Sequence, residues 1–287
     1  MWLVIWALGR ILPTTVSSRL IHALIPFALR RGWIDSTALR TNLRAVAPHL
    51  NEVEFEALVL ANVRSYGRYW AELFELASHR RSLILERVIV HGEPMLHTAL
   101  AQGRGVVIAL PHMANWDLAG AWLAQQHDVV TVAERIQPQR LFRIFMNLRT
   151  GLGMAVVPLD SGAGALGRLR AALEAQAAVA LVADRMVGGS IGVPVQFAGG
   201  TAMLPAGPAL LAYQTRAPLI PARLWYAGPA MHIEFLDPIA VDYEAPRRDV
   251  VSITTQNLAD RFSESVTMHP QDWRALQPIW EGVGVDA

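Results

Sequence analysis

Hydrophobic positions change their period along this chain, and the changes divide it. From Asn51 to about Ala77 they recur at helical spacing, with Phe55, Leu58, Val59, Val63, Tyr66, Tyr69, Trp70, Leu73 and Phe74 three or four residues apart. Asn51-Glu52-Val53-Glu54 offers an N-cap with an acidic partner three residues on, so a long amphipathic helix is predicted there. Its aromatic stripe reads first as a core face; an acyl groove is the sharper alternative.

From about Arg87 the texture becomes α/β. Short apolar, β-branched runs stand at Val106 to Leu110, Val129 to Val132, Ala155 to Leu159 and Val179 to Ala183, separated by helical stretches. Such alternation predicts a mixed, mainly parallel central sheet flanked by helices. Pro194 to Phe197, Leu219 to Trp225 and His232 to Leu236 are expected to extend the sheet, with antiparallel members, and a helix over about 250–268 to close it. There is no internal repeat or long linker, so one compact unit is expected: residues 1–84 as a helical segment and 85–287 as the α/β core.

The first residues have another character. Trp2, Trp6, Leu12, Leu20, Ile25, Phe27 and Trp33 alternate with Arg10, Arg19, Arg30 and Arg31. Tryptophan and arginine on an apolar helix suit the interface of an anionic membrane, with the indole at the acyl boundary and the guanidinium at the phosphates. Packing on the protein's own core is the plainer alternative. The stretch from Met1 to Leu12 is too short to span a bilayer and lacks the features of a secretory signal. A peripheral protein on the cytoplasmic face of the cell membrane is therefore expected. Charged residues make up only 17% of the chain, against about 25% in ordinary soluble domains. The net charge of +1 gives no basic face for nucleic acid.

All 25 basic residues are arginine and there is no cysteine, which excludes lysine and thiolate catalysis, zinc ribbons and iron–sulfur clusters. No metal site or resident cofactor is expected. The constellation with chemical content is Pro111-His112-Met113-Ala114-Asn115-Trp116-Asp117, directly after the run Val106 to Leu110. Pro111 ends that strand, and functional groups of parallel α/β sheets collect at the carboxyl ends of strands. A helix is expected from near Asn115, with Asp117 in its first turn, favoured there by the helix dipole. Asp117 is then a candidate to hold the imidazole in the tautomer that leaves one nitrogen free as a base. A loop histidine beside an ordinary helix-start aspartate explains the same residues, and chemistry alone leaves both readings open.

His-x-x-x-x-Asp at a strand end resembles the signature of the glycerolipid and lipid A type acyltransferases. The wider context is most similar to the phosphatidylinositol mannoside acyltransferases of actinobacteria. The likeness is carried, in order, by Ala133-Glu134-Arg135, Leu141-Phe142 to Arg149 with Leu152-Gly153-Met154, Ala183-Asp184-Arg185, Leu204-Pro205-Ala206-Gly207, His269 to Trp273 and Gln277-Pro278. It implies a glycerolipid acyltransferase-like fold with N-terminal membrane-associating helices, and transfer of an acyl group from acyl-CoA, as co-substrate, to a sugar hydroxyl of a glycolipid. His112 would serve as general base with Asp117 and Asp184 as catalytic carboxylates, while Glu134, Arg135, Arg149 and Arg185 would bind substrate. Asp184, at the end of its strand, should leave the sheet on the same edge as His112 as a second orienting carboxylate. The family often has glutamate there, and the shorter side chain leaves a direct hydrogen bond to His112 open. Gly200 also stands where the family often has glutamate; Gly199-Gly200 reads as a turn between a strand and a helix.

Two readings compete. Gly162-Ala-Gly164-Ala-Leu-Gly167 follows a strand and opens a helix, with Asp184 ending the next strand, as in a nicotinamide-dependent oxidoreductase. Asp160 and Ser161 loosen the tight turn that a pyrophosphate needs, and Ser161 is equally an N-cap. The other is a non-catalytic lipid-binding protein using the N-terminal helices.

Overall fold

The computed structural model describes residues 35–78, 81–135, 137–159, 164–187 and 191–280, together with Phe27 and Arg31. The tryptophan- and arginine-rich start, those two residues apart, lies outside the described residues, as do Ser161 and Gly162. No helix among the described residues is long and apolar enough to cross a membrane.

Two helices lead in, α1 (Thr37–Val46) and α2 (Glu52–Leu76). Asn51 caps α2 reciprocally: its side chain accepts from the Glu54 N–H, and the Glu54 carboxylate accepts from the Asn51 N–H, both at 3.0 Å. Most of the predicted stripe of α2 is buried, and Phe55, Val59, Val63, Tyr69 and Leu73 belong to the same hydrophobic core as the sheet, with Leu58, Tyr66 and Trp70 partly buried against it. A short α3 (Arg81–Leu85) follows.

The chain then alternates: β1 (Val88–His91), α4 (Glu93–Leu100), β2 (Val106–Leu110), α5 (Trp116–Leu123), β3 (Val129–Glu134), α6 (Gln139–Gly151), β4 (Met154–Leu159), α7 (Gly164–Glu174) and β5 (Ala178–Val182). Next come β6 (Gly192–Phe197), β7 (Gly200–Pro205), α8 (Gly207–Thr215), β8 (Leu219–Ala227), β9 (Ala230–Phe235), α9 (Arg247–Met268) and a 3₁₀ turn (Pro270–Asp272). The central sheet has the order β1-β9-β8-β2-β5-β3-β4, and every neighbouring pair but β8/β9 is parallel. The fold is thus mixed α/β with a mostly parallel sheet flanked by helices.

Two expectations are corrected. The run from Pro194 does not extend the central sheet; β6 pairs with β7 in a separate antiparallel hairpin. Gly199-Gly200 accordingly joins two strands rather than a strand and a helix. A Cβ at Gly199 would lie 2.5 Å from the Ala45 Cβ, so only glycine lets the hairpin tip seat on α1. Edge strand β1, too short for a visible alternation, was not predicted.

Strand β2 is buried along its whole length. Its entry needs Gly105, which has φ +65° and stands where a Cβ would meet the Ala177 carbonyl oxygen at 2.6 Å. With β5 on one side and β8 on the other, β2 is where the strand order reverses, the place where open α/β sheets leave a crevice at the strands' carboxyl ends.

Candidate active site

Strands β2 and β5 run parallel with Leu110 opposite Val182, and the pairing carries one step further, the Ala183 N–H donating to the Leu110 carbonyl at 2.9 Å. His112 and Asp184 therefore leave the sheet side by side. The backbone N–H of His112 donates to Asp184 Oδ2 at 2.9 Å, and its ring Nδ1 is in direct contact with Asp184 Oδ1. The shorter aspartate does reach His112, because the register brings the two backbones together.

A third donor completes this carboxylate. The Trp273 indole N–H, in a segment 89 residues away, reaches Asp184 Oδ2 at 2.9 Å. Burial alone would raise the Asp184 carboxyl, but the neighbouring imidazole and the three hydrogen bonds outweigh it and hold the group below its ordinary range. An ionised Asp184 on Nδ1 fixes the tautomer in which Nε2 carries the lone pair. The His112 side chain is 18% exposed, against 2% for Asp184, on the wall of a cavity of about 410 Å³.

Asp117 is elsewhere engaged. It follows Asn115, whose Oδ1 caps α5 by accepting the Leu118 N–H at 2.9 Å. The Asp117 carboxylate takes the Arg149 Nε–H at 2.6 Å and the Tyr69 hydroxyl at 3.0 Å, and none of its hydrogen bonds goes to His112. The Trp116 ring stands between, 5.2 Å from the His112 ring and 4.7 Å from that of Tyr69. Asp117 thus anchors α5 to α2 and α6; orienting the imidazole falls to Asp184. Burial disfavours the Arg149 charge, yet Asp117 more than offsets it and raises the guanidinium pKa further. Tyr69 is pushed well above its usual range by burial first and the Asp117 charge second.

Of the remaining predicted residues, all but Arg135 line the same cavity. Glu134 and Arg185 line it and approach each other at 3.5 Å, and Arg185 also donates to the Gln277 side chain at 3.2 Å. Arg149 lines it too, with its charge committed to Asp117. Arg135 is exposed near the Phe142 ring, at 5.8 Å from the ring centre. Tyr66, Trp70, Leu141, Phe142, Phe145 and Leu159 also line it, so the cavity offers aromatic and apolar surface as well as polar groups.

Several residues that support the site had no role assigned from the sequence, although His269 to Trp273 belongs to the family likeness. Glu72 of α2 is buried and accepts from Arg68, Asn115 and Tyr226, tying α2 to the start of α5 and to β8. Residues 270–275 form the back of the histidine loop: the Arg274 N–H donates to the His112 carbonyl, its guanidinium grips the Ala114 carbonyl, and the Ala114 N–H donates to the Asp272 carbonyl. Ala114 sits at φ +43°, a strained conformation for a residue with a Cβ, and these contacts hold it there. Asn62 secures the segment by donating to the carbonyls of Pro270 and Trp273.

The oxidoreductase reading does not survive this geometry. A Cβ at Gly164 or Gly167 would meet nothing within 4 Å, so neither glycine serves the close approach that the fingerprint requires. Strand β3 also separates β4 from β5, and Asp184 has its oxygens occupied by His112 and Trp273 rather than free for a ribose.

A histidine oriented by a carboxylate at a strand end, beside a cavity with polar and apolar lining, is compatible with several transferases. The sequence model of the bacterial lipid A biosynthesis acyltransferases matches residues 1–281. The chain belongs to that family. Within it, the chain is 36% identical over 277 residues to a phosphatidylinositol mannoside acyltransferase of Mycolicibacterium smegmatis, covering 96% of this chain and 88% of that protein. It is 38% identical over 276 residues to the Mycobacterium tuberculosis H37Rv protein of the same name, covering 91% and 85%. This lipid A family acyltransferase carries His112, Glu134, Arg149, Asp184 and Arg185 around one cavity, with Asp117 behind its wall, paired to Arg149.

Proposed function

We propose that this protein transfers a long-chain acyl group from acyl-CoA to a sugar hydroxyl of a glycolipid, a mannose of a phosphatidylinositol mannoside, at the cytoplasmic face of the membrane. The observation that carries the reading is His112, with Nδ1 held by a buried ionised Asp184 and its ring on the wall of the cavity. Nε2 takes the proton of the acceptor hydroxyl as its oxygen attacks the thioester carbonyl. The tetrahedral intermediate collapses by breaking the carbon–sulfur bond, and the imidazolium returns the proton to the departing thiolate. General-base help of this kind is worth about 10² to 10⁴ in rate. No covalent acyl-enzyme is required, which agrees with a chain that lacks cysteine.

The form of the cavity supports an acceptor with a sugar head and an acyl chain. Glu134, Arg185 and Gln277 offer hydrogen bonds of both polarities to hydroxyls, and Trp70, Phe142 and Phe145 offer apolar surface. The names of the mycobacterial relatives supply the mannoside. The arginine- and tryptophan-rich N-terminal segment supplies the membrane surface, by its composition.

The test is radiolabelled palmitoyl-CoA with purified phosphatidylinositol mannoside in vesicles. Labelled glycolipid should form with the wild type and be lost in His112→Ala with the thermal transition unchanged; full activity in that variant would end the proposal. Palmitoyl-acyl carrier protein as the sole donor, and a mannose-free acceptor, should both fail.

A further inference from the structure

The hairpin β6/β7 lies off the central sheet and contributes no residue to the reaction described above. Its Phe197 is nevertheless 1% exposed and packs edge-on against Trp273, with ring centres 5.9 Å apart. Trp280 closes on the same indole at 6.2 Å and is itself fixed by donating to the Phe197 carbonyl at 2.9 Å. Trp273 is completely buried, paired through its backbone with Met113 next to the base, and held by Asn62 through its carbonyl. So enclosed, the indole has one polar atom, and its N–H ends on Asp184 Oδ2.

From this arrangement we propose that Trp273 is a positioning residue for catalysis, aiming the Asp184 carboxylate at His112 with the hairpin as its mount. This rests on the reading of His112 as the base.

The need for such a residue follows from the carboxylate. An aspartate has two rotatable bonds, and buried oxygens rotate to whatever donors are present. Asp184 Oδ2 receives two donors, the backbone N–H of His112 and the indole N–H, and these fix the plane of the carboxylate so that Oδ1 faces Nδ1. The backbone donor is supplied by the β2/β5 register. The indole donor comes from a distant segment, whose backbone is held by Asn62 and Met113 and whose ring is seated against Phe197 of the hairpin and Trp280. When Nε2 gains a proton, the positive charge is shared through Nδ1 with Asp184, and a carboxylate turned away loses that stabilisation. The effect falls on the rate of proton transfer and not on substrate affinity.

Trp273→Phe keeps the aromatic body and removes the donor. It should lower kcat about 10-fold, the lower end of what loss of an outer partner costs at oriented histidines in metal sites, and leave KM within about 2-fold. The downfield proton resonance of the His112 Nδ1–H in the wild type should move or broaden in the variant. If the phenylalanine variant does not fold, replacing Trp273 with benzothienylalanine, the same shape with sulfur for N–H, carries the test. An unchanged kcat and resonance in whichever variant folds, or a loss confined to KM, would overturn the inference. His112→Ala run alongside separates the two readings. An inactive His112→Ala with a fully active Trp273 variant defeats only the positioning role; a fully active His112→Ala defeats the base itself.

Discussion

Two buried aspartates flank the same histidine loop and do opposite things. Asp184 leaves the sheet beside His112 and gives all three of its hydrogen bonds to His112 and Trp273. Asp117 belongs to the first turn of a helix and gives its contacts to Arg149 and Tyr69, joining three helices. Residue type and burial are the same; what differs is the element that presents the carboxylate. A strand end in register with a neighbouring strand end delivers a side chain to a shared edge. A helix start delivers it to whatever helix lies alongside. The lesson is that proximity in sequence to a catalytic histidine is weaker information than adjacency in the sheet.

The contrast can be broken in order of expected effect. Asp184→Asn should cost on the order of 10³-fold in kcat, since a mis-set tautomer in a histidine–aspartate pair costs up to about 10⁴. Its denaturation midpoint should stay closer to wild type than that of Asp117→Ala. Asp117→Ala leaves Arg149 buried without a counter-charge and should destabilise by about 3–5 kcal/mol, read as a urea midpoint. Replacing both partners, Asp117→Leu with Arg149→Met, should recover much of that loss, and failure to do so would assign Asp117 more than an anchoring role. Tyr69→Phe removes one neutral donor from Asp117 and should cost about 1 kcal/mol.

pH gives a finer test. The folded Asp184 carboxyl is depressed, so its contribution to stability is complete above the unfolded aspartate value of about 4 and fades as pH falls through the folded value. The stability difference between wild type and Asp184→Asn, from urea melts, should be flat near neutrality and shrink only in acid. The smallest effect belongs to the exposed pair: Arg185→Met should shift stability by less than about 1 kcal/mol and act on acceptor KM.

Most of the fold was legible in the sequence. Strand β2 was bounded correctly, α2 was found from its cap and stripe, and the parallel alternation was evident, because these are local patterns of period and punctuation. Strands β1 and β7 were missed, the first for its four residues and the second because Gly200 opens it. Within the site, His112 was legible from its place after Pro111. Asp184 was legible as a second carboxylate on the same sheet edge, but not its direct hydrogen bond to His112, which depends on the β2/β5 register. Trp273, Glu72 and Arg274 act across the fold, through contacts that no local spacing reports.

One consequence of the clamp formed by residues 270–275 concerns time rather than geometry. The sheet can pair and the helices pack as each segment is made, but the loop holding His112 acquires its rear wall only when a stretch more than 150 residues downstream arrives. Closing contacts of such sequence separation is slow. A chain emerging from the ribosome therefore carries most of its sheet long before the loop that presents His112 is complete, and on the proposed function it stays chemically silent until that last segment docks.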